Sequence, residues 1–338
     1  MTDQPPILHL AAPRGFCAGV ERAIEVVELA LRVHGRPVYV RHEIVHNRHV
    51  VEGLRARGAV FTDDLADVPA GAVLVLSAHG VAPAVRREAD ARGLHVLDAT
   101  CPLVTRVHRE ALRHAQAGCT VVLVGHRRHV EVQGTLGEAP EAIVVVEGVA
   151  EAGALVVPDP GRVACITQTT LSVDDSREVV EALRRRFPAL REPARSDICY
   201  ATQNRQNAVK ELARRAGVVL VVGAPSSSNA NRLVEVARSR GAAARLVEGP
   251  EDIRPEWLPP GGDVGVTASA STPEDVVQAC VARLQELGGY RVAPFRLVEE
   301  CVTFPLPADL LAEARARGVD GNTGGGRAAA ADGAGTPC

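Results

Sequence analysis

Short β-branched runs alternate with amphipathic stretches of helical period along most of this chain, and this alternation limits the fold more than any other feature. The pattern is typical of α/β units, in which helices cover largely parallel sheets. The predicted strands are Ile7–Ala12, Val73–Ser77, His95–Asp98, Thr120–Val124, Ile143–Val146, Val163–Ile166, Val218–Val222 and Val264–Ala268. The predicted helices are Val20–His34, Pro83–Arg92, Leu103–Ala117, Asp174–Arg186, Asn204–Ala216, Ala230–Arg240 and Pro273–Leu287. We therefore predict an α/β fold.

A weak internal repetition suggests how the chain is divided. Three times a predicted strand runs into a cysteine and an amphipathic helix follows, in P-R-G-F-C-A-G-V at Cys17, L-D-A-T-C-P-L-V at Cys101 and S-D-I-C-Y-A-T at Cys199. Each interval is about the length of one small α/β domain, so we predict three related domains. Their expected ranges are 1–100, 101–198 and 199–290.

Two further segments follow the third domain. Residues 291–317 are expected to pack back on the core. From Gly318 onward Gly, Ala, Asp, Asn, Thr and Pro dominate without apolar periodicity, so we expect residues 318–338 to form a disordered tail.

Composition excludes several function classes. The 338 residues carry 38 basic and 41 acidic side chains, and a net charge of −3 gives no electrostatic reason to expect nucleic acid or a membrane surface as a partner. The first residues lack the features of a signal peptide, and no apolar run approaches the ~20 residues that span a bilayer. We predict a cytoplasmic protein, whose eight cysteines are then core residues, metal ligands or redox groups rather than disulfides.

The three repeated cysteines are candidates for metal ligation. In open α/β sheets ligands bind beyond the carboxyl ends of the strands, and a helix N-terminus there favours a thiolate. Three thiolates could hold three irons of a cubane cluster and leave the fourth iron for substrate. The spacing alone leaves open that these are small apolar loop residues, since no C-x-x-C occurs. Cys119, Cys165, Cys280, Cys301 and Cys338 are interpreted as structural.

Polar side chains form the second set of candidates. Histidines lie in or just after strands, and later strands lead to Ser226–Asn231 and Ser269–Ser271. Such hydroxyl, amide and imidazole donors suit a diphosphate at helix N-termini, although the serines could equally be N-caps. Glu131 and the hydroxyls of Thr167–Thr170 could form a proton relay, or serve as capping or surface residues. The histidine candidates are His42, His46, His79, His126 and His129.

At this point the motifs resemble those of a known family. P-R-G-F-C-A-G-V, H-E-I-V-H-N, S-A-H-G-V, D-A-T-C-P-L-V, T-Q-T-T-L-S-V-D-D, D-I-C-Y-A-T, S-S-N-A-N-R-L and A-S-T-P look like the LytB/IspH family of 4-hydroxy-3-methylbut-2-enyl diphosphate reductases. The similarity spans roughly residues 7 to 305. It implies three α/β domains in pseudo-threefold arrangement around a central iron–sulfur cluster cavity.

The resemblance also implies site residues. Cys17, Cys101 and Cys199 match the ligands of a [4Fe-4S] cluster, which oxidation can convert to [3Fe-4S]. His129, Glu131 and Thr169 lie by the substrate hydroxyl in the family pattern, with Glu131 supplying protons. The residues implied to hold the substrate are His46, His79, His129, Thr169, Ser227, Ser228, Asn229 and Ser271.

The reaction implied is the reductive dehydroxylation of (E)-4-hydroxy-3-methylbut-2-enyl diphosphate to isopentenyl and dimethylallyl diphosphates. This is the last step of the methylerythritol phosphate (non-mevalonate) isoprenoid pathway, and it uses two electrons. Ferredoxin or flavodoxin is the implied electron donor, with a small allylic diphosphate as substrate. The chain departs from the family pattern at Val130, Pro225, Ser226 and Ser269, next to the presumed contact residues.

Two other classes compete with this interpretation. A zinc hydrolase could use His126, His129 and Glu131, because H-x-x-H-x-E offers nitrogen and oxygen ligands, but it would leave the three cysteine loops unexplained. A nucleotide-binding module is weaker, since neither G-x-G-x-x-G nor G-x-x-x-x-G-K-[ST] occurs in the chain.

Overall fold

The computed structural model of the chain describes residues 4–321. Within this part of the chain, helices and strands alternate as the sequence pattern predicts. The strands are β1 (Ile7–Ala12), β2 (Val38–Arg41), β3 (Ala59–Thr62), β4 (Val73–Leu76), β5 (His95–Asp98), β6 (Thr120–Val124), β7 (Ile143–Val146), β8 (Val163–Thr167), β9 (Val218–Val222), β10 (Ala243–Val247), β11 (Val264–Ala268) and β12 (Arg291–Arg296). The α-helices are α1 (Ala18–His34), α2 (Arg48–Ala56), α3 (Pro83–Ala91), α4 (Pro102–Gln116), α5 (Val130–Leu136), α6 (Val149–Ala154), α7 (Val173–Arg186), α8 (Tyr200–Arg215), α9 (Ser228–Ser239), α10 (Glu274–Gly288) and α11 (Ala308–Ala316).

The described strands form three sheets, and every strand pair is parallel. The strand orders are β10-β9-β11-β1-β12, β3-β2-β4-β5 and β7-β6-β8. This confirms the predicted α/β fold with largely parallel sheets. Parallel sheets place the carboxyl ends of all their strands at one edge, where ligands collect.

The five-stranded sheet is covered on both faces. Leu220 and Val222 of β9 pack with α10 on one face, while Val219 and Val221 pack with α8 and α9 on the other. At Gly265 of β11 an added Cβ would lie only 2.6 Å from the Leu212 side chain of α8, so this close approach of helix and strand requires glycine.

The smaller sheets have cores of the same kind. In the three-stranded sheet, Val122 and Val124 of β6 face α6 and α7, and Val121 and Leu123 face α4 and α5. In the four-stranded sheet, Leu74 and Leu76 pack with Ala89 of α3. Strands buried on both faces explain why these runs are almost continuously apolar.

The chain divides into two compact units. One contains the described residues up to Leu29, His46–Gly53 and the described residues from Gln203 onward, and it holds the five-stranded sheet. The other contains Ala30–Val45 and Leu54–Thr202, and it holds the four-stranded and three-stranded sheets.

The first strand does not belong where the sequence placed it. We expected β1 within a domain of residues 1–100, but it pairs with β11 and β12 from the other end of the chain. The reason is burial, because Leu8 and Leu10 face one core of the five-stranded sheet and Ala11 faces the other. A strand that is apolar on both faces is stable inside a sheet that helices cover on both sides, and the five-stranded sheet provides such a position. The domain boundaries near residues 100 and 198 stay a prediction.

The approach to Cys199 also differs from expectation, because a loop rather than a strand leads into it. After α7 the chain runs beside β8 with a single bridge between Ala164 and Arg191. Pro193 follows, and proline cannot donate to a strand ladder. The Asp197 carboxylate then accepts a hydrogen bond from the Thr167 backbone at 3.0 Å, replacing the missing backbone partner.

The C-terminal segment contacts the five-stranded sheet's unit. Its strand β12 pairs with β1, and Arg22 Nε donates to the Pro305 carbonyl at 2.8 Å. Leu310 and Ala314 of α11 are buried. Of the predicted disordered tail, residues 322–338 lie outside the described residues. No α-helix in residues 4–321 combines the length and the apolar character needed to cross a membrane.

Candidate active site

The loops that follow β6 and β8 meet at the carboxyl edge of the three-stranded sheet. Gln168 accepts a hydrogen bond from the His126 backbone N–H at 3.0 Å, and its own amide donates to the Thr170 hydroxyl at 2.8 Å. At Gly125 an added Cβ would lie 2.8 Å from Val132 and 3.0 Å from Gln168. The backbone of the loop after β6 therefore packs directly against the Gln168 side chain of the loop after β8. The sequence did not identify Gln168 as a residue that supports the site.

Glu131 and Thr169 form a buried pair across these loops. The two oxygens of the Glu131 carboxylate accept hydrogen bonds from the Thr169 backbone N–H at 2.7 Å and the Thr169 hydroxyl at 3.0 Å. Glu131 is 3% exposed and Thr169 is 4% exposed. The structure thus brings together the acid and the hydroxyl that were proposed as a proton relay, although they are far apart in the sequence.

His129 caps the helix that carries Glu131. It is the N-cap of α5, and its Nδ1 accepts a hydrogen bond from the Glu131 backbone N–H at 3.2 Å. Because Nδ1 acts as the acceptor, a neutral His129 carries its proton on Nε2. The His129 ring lies edge-on to the His79 ring, with 6.0 Å between the ring centroids. His79 Nδ1 lies 3.4 Å from the Ser77 hydroxyl.

Cys301 is exposed and disulfide-bonded, so the expectation that the cysteines form no disulfides is wrong at this position. The other six described cysteines are free and fall into two groups by burial. Cys17, Cys101 and Cys199 are half-buried, whereas Cys119, Cys165 and Cys280 are buried, as the structural interpretation predicted. Burial raises the pKa of the Cys280 thiol to about 12 and raises that of Cys165 further still. These two thiols therefore resist the ionisation that metal ligation requires.

Each half-buried cysteine directly precedes a helix. Cys101 is the N-cap of α4, with Pro102 at its first position as predicted, and Cys17 and Cys199 immediately precede α1 and α8. A helix N-terminus stabilises negative charge, so each of these positions is suited to a metal-bound thiolate.

The backbone of each of these cysteines is tied to a loop that carries predicted substrate residues. The N–H of Cys101 donates to the carbonyl of Ala78, the neighbour of His79, at 3.0 Å. The N–H of Cys199 donates to the Thr169 carbonyl at 3.0 Å. In the other unit, the N–H of Cys17 donates to the carbonyl of Ala270, the neighbour of Ser271, at 3.2 Å.

The diphosphate candidates Ser227, Asn229, Ser271 and His46 lie together in the unit of the five-stranded sheet. Ser227 is the N-cap of α9, so both the capping and the binding interpretation of this serine remain open. The Asn229 side-chain oxygen accepts a hydrogen bond from Ala270 N–H at 3.0 Å, and the Ser271 hydroxyl donates to the His46 carbonyl at 3.0 Å. Ser228 opens the same helix, whose N-terminal N–H groups suit an anion.

Two arginines that the sequence did not single out hold the cysteine loops. Arg205 is completely buried; it donates to the carbonyls of Gly15 and Phe16 and pairs with Glu300 at 3.1 Å. Arg106 donates to the Ser196 carbonyl at 2.6 Å and lies 3.6 Å from the Asp197 carboxylate. Burial raises the pKa of Asp197 to about 6, even though the Thr167 N–H and Arg106 favour its charged form.

Two of the candidate histidines, His42 and His126, are not among the residues that the resemblance implies for substrate binding. His42 lies in the left-handed backbone region with φ 60°, and its ring contacts the Asp63 carboxylate. His126, His129 and Glu131 do not bring their ligand atoms within 4.8 Å of one another, so the zinc-hydrolase alternative has no preformed site in these described residues.

The fold and the candidate residues together define an α/β protein with half-buried thiols, imidazoles, hydroxyls and a buried carboxylate at the carboxyl ends of parallel strands. Comparison with known proteins identifies the family. The model of the LytB protein family matches residues 8–285, and the chain belongs to this family.

Curated relatives are similar over almost their whole length. The 4-hydroxy-3-methylbut-2-enyl diphosphate reductase of Bordetella pertussis is 58% identical over 301 residues, covering 89% of this chain and 93% of the relative. The enzyme of the same name from Hahella chejuensis is 55% identical over 307 residues, covering 90% of this chain and 97% of the relative.

Solved structures agree with this assignment. The E-1-hydroxy-2-methyl-but-2-enyl-4-diphosphate reductase of Plasmodium falciparum matches with a TM-score of 0.91 and 39% identity, covering 93% of this chain and 100% of that one. A second structure, of (E)-4-hydroxy-3-methyl-but-2-enyl diphosphate reductase, the terminal enzyme of the non-mevalonate pathway, matches with a TM-score of 0.59 and 32% identity, covering 84% and 100%. The family resemblance drawn from the motifs is confirmed.

Proposed function

We propose that this chain reduces (E)-4-hydroxy-3-methylbut-2-enyl diphosphate to isopentenyl and dimethylallyl diphosphates, the last step of the non-mevalonate pathway. The observation that carries the proposal is 58% identity to a reductase of that name over 89% of the chain. The reaction consumes two electrons and two protons. One proton leaves with the hydroxyl group as water, and the other is added to carbon at either end of the allylic system.

We propose Cys17, Cys101 and Cys199 as the ligands of an iron–sulfur cluster of the [4Fe-4S] type. The donor set fits, because these three thiols are half-buried and lie at helix N-termini, while the desolvated thiols of Cys165 and Cys280 do not suit ligation. A cluster with three cysteine ligands supplies electrons and an iron without a protein thiolate, which can polarise the substrate oxygen. A one-electron donor of the ferredoxin or flavodoxin type would supply the electrons, in the cytoplasm.

The diphosphate end of the substrate would be held by donors from the start of α9 and its surroundings. Ser227, Ser228 and Asn229 belong to that helix N-terminus, where backbone N–H groups and the helix dipole favour an anion. Ser271 and His46 are joined by a hydrogen bond in the same unit. We assign His79 to the same role, since imidazole donors are suited to phosphate oxygens.

Proton delivery would fall to Glu131. Its carboxylate is nearly inaccessible to water and is oriented by the two hydrogen bonds from Thr169. A neutral His129 carries its proton on Nε2, so it can donate a hydrogen bond to the substrate hydroxyl while Glu131, in its carboxylic acid form, transfers a proton to the same hydroxyl. The exclusion of water by these buried groups would keep protons from other sources away from the reacting carbon.

The test is anaerobic reduction of the allylic diphosphate by a chemical electron donor, with identification of both products. We expect both five-carbon diphosphates from the wild-type chain. Replacing Glu131 with Gln should keep the iron content and lower turnover by about 100-fold or more, because general acid catalysis contributes 10²–10⁴-fold. Normal turnover of this variant would remove Glu131 from the proton path.

A second experiment tests the ligands. Cys17→Ser, Cys101→Ser and Cys199→Ser should each lower the iron content per chain and weaken the visible absorption. Cys119→Ala is the matched control. Because Cys119 is buried and is not a proposed ligand, this variant should keep the wild-type iron content. Equal iron loss in the control and the three variants would contradict the assignment.

A further inference from the structure

The sulfur of Cys199 receives two contacts from one residue at the start of α8. The backbone N–H of Thr202 donates to Cys199 Sγ at 3.4 Å, and the Thr202 hydroxyl oxygen lies 3.1 Å from the same sulfur. Thr202 is 1% exposed, so water hardly reaches this hydroxyl. The contact joins two described residues of the same compact unit.

The direction of the hydroxyl contact depends on the state of the sulfur. A free thiol can donate its own hydrogen, but a thiolate that binds metal is only an acceptor. When Cys199 is a ligand, the Thr202 hydroxyl must therefore donate to the sulfur. The resulting O–H···S⁻ hydrogen bond is charge-assisted and lies in a site that is poor in competing water.

Such a hydrogen bond has a redox consequence. The reduced state of an iron–sulfur cluster carries one more negative charge than the oxidised state, and part of that charge resides on the sulfur ligands. A donor to a ligand sulfur therefore stabilises the reduced state more than the oxidised state, which raises the reduction potential.

The other two cysteine loops have valine at the position of Thr202. The residue three positions after the cysteine is Thr202 in the third loop, whereas it is Val20 after Cys17 and Val104 after Cys101. In the Cys101 loop the Thr105 hydroxyl donates to the Cys101 carbonyl at 3.3 Å. The helix α4 begins without a cap hydrogen bond from the Cys101 side chain.

We propose that Thr202 is a positioning residue that raises the reduction potential of the iron–sulfur cluster through its hydrogen bond to Cys199. The inference rests on the proposed function, because it requires Cys199 to be a cluster ligand.

The experiment is a reductive titration of anaerobically purified protein, followed by electron paramagnetic resonance, with iron and sulfide measured per chain. Thr202→Val is the main variant because valine occupies the equivalent position in the other two loops. At a fixed solution potential we expect its ratio of reduced to oxidised cluster to fall about tenfold, a shift of about 59 mV for one electron. Thr202→Ser should stay close to wild type, because serine keeps the hydroxyl.

Thr105→Val is the matched control. It removes a partly buried hydroxyl that donates to the backbone carbonyl of Cys101 rather than to a cysteine sulfur. An unchanged potential in Thr202→Val, or an equal shift in Thr105→Val, would overturn the inference. The reduction potential is measured on the cluster that each variant retains, so partial loss of iron does not change the measured value. Thr202→Ala is a second variant, for which we expect the same shift in potential. A wild-type chain without iron would refute the proposed function itself, and this inference with it.

Discussion

Replacement of the buried Arg205 by Met should destabilise the unit of the five-stranded sheet by about 3 to 4 kcal/mol. Arg205 is completely buried, and one of its terminal nitrogens lies 3.1 and 3.2 Å from the two carboxylate oxygens of Glu300. The other nitrogen donates to the Gly15 carbonyl at 2.8 Å and contacts that of Phe16 at 3.4 Å.

The magnitude follows from what the substitution leaves behind. Removing one partner of a buried ion pair costs about 3–5 kcal/mol, because the remaining charge is unpaired. Glu300 keeps 14% of its side chain exposed, and water there lowers this cost. Two backbone carbonyls also lose their donor, at about 1 kcal/mol each, while the apolar body of Met retains part of the packing that the arginine stem makes.

The assay is urea unfolding of the anaerobic protein, where the shift in midpoint multiplied by the slope gives the change in the free energy of unfolding. Arg214→Met on the same helix is the control. Arg214 is 75% exposed and pairs with Glu211, and such surface pairs contribute less than about 1 kcal/mol. The double variant Arg205→Met/Glu300→Leu should lose less stability than the sum of the single variants, since it removes both charges together.

Two results would refute this reasoning. If Arg205→Met unfolded at the same urea concentration as Arg214→Met, the buried pair would not stabilise the fold. If the single-variant effects simply added in the double variant, Arg205 and Glu300 would not be coupled. Because the two carbonyls immediately precede Cys17, the variant should also lose iron faster in air than the wild-type chain.

Three further predictions address the site and its scaffold. Thr169→Val should lower turnover by about 10- to 100-fold with unchanged iron content, measured by the anaerobic assay, because Glu131 loses one of its orienting donors. Gly125→Ala should lower the free energy of unfolding by about 1–3 kcal/mol in thermal melts, because the new methyl group meets Val132 and Gln168. Burial opposes ionisation of Asp98, yet hydrogen bonds from Thr100 and the charge of Arg86 lower its pKa overall. Its contribution to stability is therefore present above its unfolded pKa of 3.8 and is lost as the pH falls through the lower folded value; Asp98→Asn should flatten this acid-side dependence in pH-dependent unfolding.

The sequence predicted the central strands and the long helices because these elements carry strong periodic signals. It missed β2, β3, β10 and β12, which are short or only partly buried. The strand β10, for example, contains the exposed Arg245, and β12 contains Pro294, which is tolerated because this strand lies at the edge of its sheet. The helix α5 was missed because seven residues that include Gly134 give no clear helical pattern.

The site was predictable in its residue types and not in its pairings. The motifs identified Glu131 and Thr169 separately, but only the parallel register of β6 and β8, with Val124 opposite Thr167, places their loops side by side. Strand order cannot be read from periodicity, and here β8 pairs with β6 although β7 lies between them in the sequence. The sequence did not identify Gln168, Thr202 and Arg205. Their roles depend on tertiary contacts, which cannot be predicted from the residue type alone.

The three cysteine loops share a feature that links the proposed metal ligands to the proposed substrate residues. In each loop the cysteine N–H donates to a carbonyl of a loop that carries a predicted substrate residue, through Ala78 beside His79, through Ala270 beside Ser271, and through Thr169 itself. A hydrogen bond between two backbones fixes their relative position without depending on side chains. A shift of any cysteine loop should therefore move the donor loop to which it is bonded. Loss of a proposed ligand should weaken substrate binding as well as electron transfer.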